Sequence, residues 1–387
     1  MKWILACLSF GLFGFGLSGS APKQTAKEVT VIISGGARGQ LSPCGCTKPM
    51  SGGLKRLATV VRELKSRSNV VWIDSGDIID APGRQSQMKA ETYSELMGVL
   101  GVDVVAYTSN DQRQGLGLLV AGTSLSKRKW LGVEPDRSMP IVAESIKSGI
   151  TISVANEQVL KFEAEREAGI VILDGKRESI SLLQKPHEMV VFASEGIPTV
   201  NGSAVSPGSH LRGVVIATFR DNRFVSAKVV SLDPSIKDDP KGKKIFGSYL
   251  TRITQERLID STVKDIDHDF AGSAVCGNCH GKLYKQFAKT GHAHAYDSLV
   301  KEGHQADPDC VSCHVVGLNS KKGFIYEKTK NLAQVGCESC HGAGREHARY
   351  PGVVIFKKVT EAKCLTCHTP SNSPTFNFKS YWEKIKH

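Results

Sequence analysis

After its first twenty residues the sequence has no apolar run long enough to cross a bilayer as a helix, which excludes a polytopic helical membrane protein. Aromatic residues are scarce, at 7% of 387 positions, but 40% of the chain is hydrophobic and 23% charged. That composition is globular, neither disordered nor collagenous, and the length allows two domains. Cysteines for an ordinary disulfide framework are missing too. Of the 11 cysteines, eight sit in four copies of one five-residue pattern, one lies in the first ten residues, and two form Cys44-Gly45-Cys46. The net charge is +12, yet no nucleic-acid module accompanies it. Lysines and arginines are spread along the chain rather than gathered on one stripe, so no nucleic-acid partner is expected.

Residues 1–20 read as a signal peptide: Lys2, an apolar stretch from Trp3 to Leu17, then Ser18-Gly19-Ser20 before Ala21. The stretch is short for a spanning helix and interrupted by glycines. Leu5-Ala6-Cys7 comes too early in the leader to be a lipoprotein cleavage box. The mature chain is therefore expected to be periplasmic or otherwise exported, with no membrane span after cleavage.

From 28 to 239 short β-branched runs alternate with amphipathic stretches. Val29–Ser34, Val70–Asp74, Val102–Tyr107, Met189–Ala193, Val214–Phe219 and Val225–Ser231 predict strands, and Leu54–Arg67 and Ala90–Leu100 predict helices. Such alternation predicts an α/β layered domain. Residues 240–267 read as a polar, lysine-rich linker with a helix. From 268 to 387 cysteine and histidine become frequent and little remains for a conventional core. That segment has to be organised around something other than side chains.

Cys276-Gly-Asn-Cys279-His280, Cys310-Val-Ser-Cys313-His314, Cys337-Glu-Ser-Cys340-His341 and Cys364-Leu-Thr-Cys367-His368 are four copies of C-x-x-C-H. Two thiols one helical turn apart can add to the two vinyl groups of a haem, and the following histidine then lies under the iron. Paired zinc ribbons also use C-x-x-C, but they have no need of histidine after every second cysteine. The pattern predicts four covalently bound haem c groups with His280, His314, His341 and His368 as proximal ligands. His292, His294, His304, His347 and His387 are candidates for the opposite faces of the irons, and His268 is a weaker one.

The segment from Gly272 to His387 resembles the cytochrome c-554 family of tetrahaem electron carriers. The matching stretches are Ala274–His280, Thr290-Gly-His-Ala-His-Ala295, Asp309–His314, Cys337–Gly342 with Glu346-His347, and Ile385-Lys-His387. The resemblance implies a mostly helical domain that transfers electrons between redox protein partners. It assigns His292, His347 and His387 as distal ligands and leaves His294 and His304 unmatched. It also implies an open iron face at the second motif, on which a small nitrogen-oxide or hydroxylamine-type ligand can bind.

The segment 28–239 is similar to the 5'-nucleotidase branch of the calcineurin-like metallophosphatases, and to an offshoot carrying Cys-Gly-Cys or selenocysteine. The matching stretches are Ile33–Pro43, Gly52–Leu57, Asp74-Ser-Gly-Asp77 and Thr108-Ser-Asn110. It departs from the family where the chemistry would be. Gly36 and Arg38 stand at the usual Asp-x-His positions, Asp111-Gln112 replaces His-Glu, Leu173-Asp-Gly-Lys176 replaces Ser-His, and no Gly-His-x-His occurs near Val191–Gly196. Asp77 and Asn110 alone cannot hold two cations, so no dinuclear site is expected. Cys44 and Cys46 are redox candidates, since a disulfide between them would be strained and labile; a metal site or an inert thiol pair are the alternatives.

The leading expectation is an exported multihaem cytochrome with a non-hydrolytic phosphatase-like domain, an electron carrier rather than an enzyme. The others are an oxidoreductase acting on a small nitrogen species at an open haem, and a metal phosphoesterase with a fused cytochrome.

Overall fold

The computed structural model describes residues 28–43, 50–67, 69–132, 144–145, 148–156, 169–175, 185–193, 196–262, 264–356, 358–370, 372–373 and 375–387. The leader 1–20 and Cys44-Gly45-Cys46 lie outside the described residues.

The first half runs β1 (Glu28–Ser34), α1 (Leu54–Lys65), β2 (Val70–Asp74), α2 (Arg84–Leu100), β3 (Val104–Tyr107), α3 (Ser109–Gln112), α4 (Leu116–Ser126) and β4 (Trp130–Gly132). It continues with β5 (Glu144–Ser145), β6 (Thr151–Asn156), β7 (Ile170–Asp174), β8 (Met189–Phe192), β9 (Thr199–Asn201), β10 (Ala204–Ser206), β11 (Gly213–Arg220), β12 (Arg223–Ser231) and α5 (Pro240–Gln255). Among the described residues these strands form two six-stranded sheets, ordered β12-β11-β1-β2-β3-β4 and β5-β6-β7-β8-β10-β9. β1 to β4 are parallel, as the alternation of strands and helices required, and β11 pairs antiparallel with β1.

The two sheets pack face to face. Successive side chains of a strand point to opposite faces, and β1 uses both. Val29, Val31 and Ile33 join Ile152, Val154 and Ile172 between the sheets. Ile32 joins Trp72 and Val105 beneath the helices. The expected α/β layered architecture is present.

Helix α1 buries Leu54, Leu57, Ala58, Val61 and Leu64, a helical stripe, each large side chain contributing roughly 1.5–3 kcal/mol by leaving water. Its entry is fixed by Gly53 at φ 97, where a Cβ would lie 2.7 Å from the Pro43 ring. Helix α2 begins at Arg84, six residues before the expected Ala90. Helix α5 lies in the stretch read as a linker, yet it buries Ile245, Phe246, Tyr249 and Ile253 in the same core as α1 and α2. Asp239 caps it by accepting from Gly242 N at 2.8 Å, and Arg62 of α1 grips the same carboxylate at 2.7 and 2.9 Å.

The second half holds β13 (Ile266–Asp269), α6 (Ser273–Cys279), α7 (Gly281–Phe287), α8 (Ala295–Glu302), α9 (Pro308–His314), β14 (Ser320–Lys322), α10 (Cys337–His341), α11 (Arg345–Arg349), α12 (Glu361–Cys364) and α13 (Phe378–Trp382). Its apolar cluster is small, built on Phe270, Leu299, Val311, Val316, Phe324 and Leu332. Helices α6, α7, α11, α12 and α13 bury no residue. No helix of the described residues is long and apolar enough to cross a membrane.

Candidate functional site

The first and fourth C-x-x-C-H motifs each close a helical turn. His280 N donates to Cys276 O at 2.9 Å, and His368 N donates to Cys364 O at 2.9 Å. The first thiol and the imidazole therefore leave the same turn. The motifs also meet one another: the Cys276 thiol hydrogen-bonds that of Cys337, and the Cys313 thiol that of Cys367. These contacts hold the Cys337 and Cys367 thiols low, each at about 6.

Three of the four motif histidines face a second imidazole. His280 and His347 have ring centroids 6.3 Å apart with planes 18° from parallel. His368 and His292 are 6.2 Å apart, and His341 and His387 are 5.7 Å apart. Two imidazoles on one metal, with metal–nitrogen bonds of about 2.0 Å and ring radii of about 1.1 Å, have centroids about 6 Å apart. Nδ1 of His347 donates to Val354 O at 2.7 Å, which leaves Nε2 as the ring's lone-pair nitrogen. Burial, joined by the neighbouring imidazoles, lowers His292 and His341 from their ordinary value, and burial lowers His368. A neutral ring is the form that ligates.

His314 of the second motif donates Nδ1–H to Ala295 O at 2.6 Å, and no imidazole faces it among the ring contacts of the described residues. His294 is exposed, with Nε2 3.0 Å from Ala288 O and Nδ1 3.5 Å from Asp297. His304 packs on Phe246 at 5.5 Å and lies 3.6 Å from both Asp307 and the Cys310 sulfur. His268 sits edge-on to Phe270.

The residues fit haem. Five helices hold no fully buried residue, although short helices are stable only when a face is covered. A cleft of about 2640 Å³ is lined by Cys364 of α12 and Tyr381 of α13, together with His292, Cys313, His314, Cys340, Cys367 and His368. Ordinary small-molecule pockets hold roughly 300–1,000 Å³. The donors around it are thiols and imidazoles, the set that a covalently attached haem requires.

The pocket of the first half has a different chemistry. Arg38 Nε lies 3.5 Å from Asp77 Oδ2, and Asn110 Nδ2 donates to Asp77 Oδ1 at 2.7 Å. The Asn110 oxygen accepts from Arg113 at 2.9 Å. Asp174 accepts from both the backbone and hydroxyl of Ser109, at 2.7 and 3.0 Å. Asp111, fully buried, accepts from the amides of Asp77, Ile78 and Ile79. Burial pushes its carboxyl up to about 7. Burial also lifts Asp77, although Arg38 pulls the other way. The carboxylates are engaged by protein donors, and a guanidinium occupies the position beside Asp77. These residues do not fit a dinuclear metal site, which needs ionised carboxylates and imidazoles with lone pairs to spare.

Sequence reasoning missed two features here. The backbone of His210 donates to Gly36 O at 2.6 Å, placing a histidine from beyond β10 beside the first motif. Asp111 is a structural carboxylate, and Thr108 with a residue three positions on was a readable capping box.

The motif-bearing half is similar in sequence to cytochrome c554. In particular, residues 275–342 match the family model described as cytochrome c554 and c-prime. Cytochrome c-554 of Nitrosomonas europaea is 39% identical over 95 residues, 20% of this chain and 40% of that protein. The chain thus spans less than half the length of this curated relative. The reduced structure of the Nitrosomonas europaea cytochrome covers 31% of this chain and 84% of its own, at 27% identity and a TM-score of 0.26. A 5'-nucleotidase precursor from Thermus thermophilus covers 64% of this chain and 63% of its own, at 12% identity and a TM-score of 0.46. Both resemblances expected from the sequence are found.

Proposed function

We propose that this protein is an exported tetrahaem c-type cytochrome that passes electrons between redox protein partners. The observation that carries the reading is the set of three imidazole pairs, each joining one C-x-x-C-H histidine to a second histidine at the spacing of two rings on one iron. Cys276 and Cys279, Cys310 and Cys313, Cys337 and Cys340, and Cys364 and Cys367 would attach four haems. His280 with His347, His341 with His387, and His368 with His292 would hold three irons from both sides. Bound haem supplies one-electron iron chemistry. Paired imidazoles suit that task, because they keep the coordination unchanged between oxidation states.

His314 would hold its iron from one side only. That supports a second reading, in which a small nitrogen-oxide or hydroxylamine-type ligand binds opposite His314. His294, engaged by Ala288 and Asp297, and His304, engaged by Asp307 and Phe246, are not assigned as ligands.

The phosphatase-like half is read as a non-hydrolytic scaffold, because Arg38 stands beside Asp77 where a cation would be needed. Cys44 and Cys46 are proposed as a redox pair. Ser42, Pro43 and Met50, which flank them in sequence, line the same cleft as Cys313 and His314. Thiol labelling of Cys44 and Cys46 should change with ambient potential inside the range the haems reach; constant labelling would remove the redox role.

The test of the main reading is a pyridine haemochrome assay with magnetic circular dichroism of the purified protein. Four haems per chain, three low-spin and one high-spin, are the expected result. Fewer than four haems, or four low-spin haems indifferent to cyanide and nitric oxide, would overturn the count or the open face respectively.

A further inference from the structure

Helix α9, which carries the second motif, is tied to the first half of the chain. Asp307, its N-cap, accepts from Asp309 N at 3.2 Å and is 4% exposed. The same carboxylate accepts from Gln85 of α2 at 2.7 Å and from the Tyr249 hydroxyl of α5 at 3.4 Å. One residue into the helix, Asp309 pairs with Lys89 of α2, a lysine that is itself buried. Beside them His304 is sandwiched between Phe246 of α5 and the Cys310 sulfur. So three charges, Asp307 and Asp309 against Lys89, are held at the start of the helix that carries Cys310, Cys313 and His314.

The third motif is anchored otherwise. Glu338 of α10 accepts from Ala271 N, Gly272 N and Gly344 N at 2.7–2.8 Å, all within the cytochrome half.

We propose that the phosphatase-like half sets the reduction potential of the haem on Cys310, Cys313 and His314, with Lys89 and Asp307 as positioning residues that act through α9. The inference rests on the proposed function in taking haem to be attached there. A potential responds to fixed charge, hydrogen bonding and burial around the iron and its attachment. A buried negative charge favours the ferric state and a positive one the ferrous state, and low local dielectric strengthens both effects. Burial alone would raise the Asp307 carboxyl, but the His304 hydrogen bond and the Lys89 charge outweigh it and keep it below its ordinary range. Asp307 is therefore a charge throughout neutral pH. A partner or ligand that shifts α2 or α5 would alter this one haem, which makes the contact a route by which the two halves sense each other.

The test is a potentiometric titration of the full-length holoprotein, following each spin component by magnetic circular dichroism. Asp307→Asn keeps a capping side chain but removes the charge, and should raise the midpoint of the high-spin component. Lys89→Met leaves Asp309 uncompensated and should lower it. Lys89→Arg keeps the charge and should restore the wild-type value, and the exposed Lys228→Met on β12 should move nothing. Opposite shifts confined to one component are the supporting result. Shifts of the same sign, shifts shared by all components, or no shift in either variant would overturn the proposal. Peptide mass mapping of the wild type reports separately on the underlying reading, because a Cys310–Cys313 peptide without haem would remove its premise.

Discussion

His280 and His347 face each other at 6.3 Å with nearly parallel rings, although 67 residues separate them in sequence. The pair joins the end of α6 to α11, two short helices with no fully buried residue. An iron between the rings would therefore act as a tertiary crosslink as well as a redox centre.

Replacing His347 tests that pairing. His347→Ala should retain the covalent haem, since Cys276, Cys279 and His280 are untouched, but convert one low-spin component to high-spin. His347→Met should stay six-coordinate and raise the midpoint, as methionine does opposite histidine. His294→Ala should leave every low-spin component in place, because that ring is exposed and bonded to Ala288 O. Loss of a low-spin signal in His294→Ala with none in His347→Ala would reverse the assignment.

How much of this was legible in the sequence depends on which force fixes each element. Val29–Ser34 and Val70–Asp74 were readable because buried parallel strands need β-branched residues whatever the partner. The C-x-x-C-H motifs were readable because attachment chemistry fixes their spacing. The start of α2 was not. Arg84, Gln85 and Lys89 give no apolar periodicity, since they turn to Glu256, Asp307 and Asp309. Polar residues buried between two halves of a chain look like a solvated loop in sequence. Helix α5 was expected within the linker, but not its place in the core, because Ile245, Phe246, Tyr249 and Ile253 are diluted by lysines. The motif spacing alone does not name the second imidazole of each pair, which lies at the far end of the fold; His292, His347 and His387 were legible only through the family resemblance.

The Asp111 carboxyl predicts a pH dependence. It holds its proton up to about 7 in the folded chain, against an ordinary carboxyl value of 3.8. The folded state thus binds more protons than the unfolded state between those values, and stability falls as pH rises through them. The contribution is complete below about pH 4 and lost above about pH 7, and is on the order of 4 kcal/mol. Asp111→Asn should flatten the slope between pH 5 and 7.5 in denaturant titrations of the phosphatase-like half. It should also cost stability at every pH, because three backbone amides lose part of their acceptor. A slope unchanged by the substitution would assign the proton to another of the buried carboxylates.

Phosphoester hydrolysis offers a sharper contrast. With manganese or zinc added, the protein should not turn over a nitrophenyl phosphate or a nucleoside monophosphate. Asp77 is engaged by Arg38 and Asn110 rather than left free for a cation. Metal-dependent hydrolysis abolished by Asp77→Asn would show that the guanidinium yields to metal, and would restore the phosphoesterase reading.

Removing haem separates the two halves energetically. The phosphatase-like half has two extensive buried clusters, so it should fold with or without the cofactor. The second half has one small cluster and five helices with no fully buried residue. Burial of apolar side chains cannot offset the ordering of those helices, at about 1–2 kcal/mol per residue of backbone entropy. Protein made where haem is not attached, or with the eight motif cysteines changed to serine, should lose helical circular dichroism. Limited proteolysis should then cut beyond α5 and leave a resistant fragment ending near Leu258–Ser261, where the last residues of the first core lie. The holoprotein should resist the same protease through to α13. A haem-free chain as resistant in its second half as the holoprotein would mean that protein contacts alone organise it, and the case for haem as its core would fall.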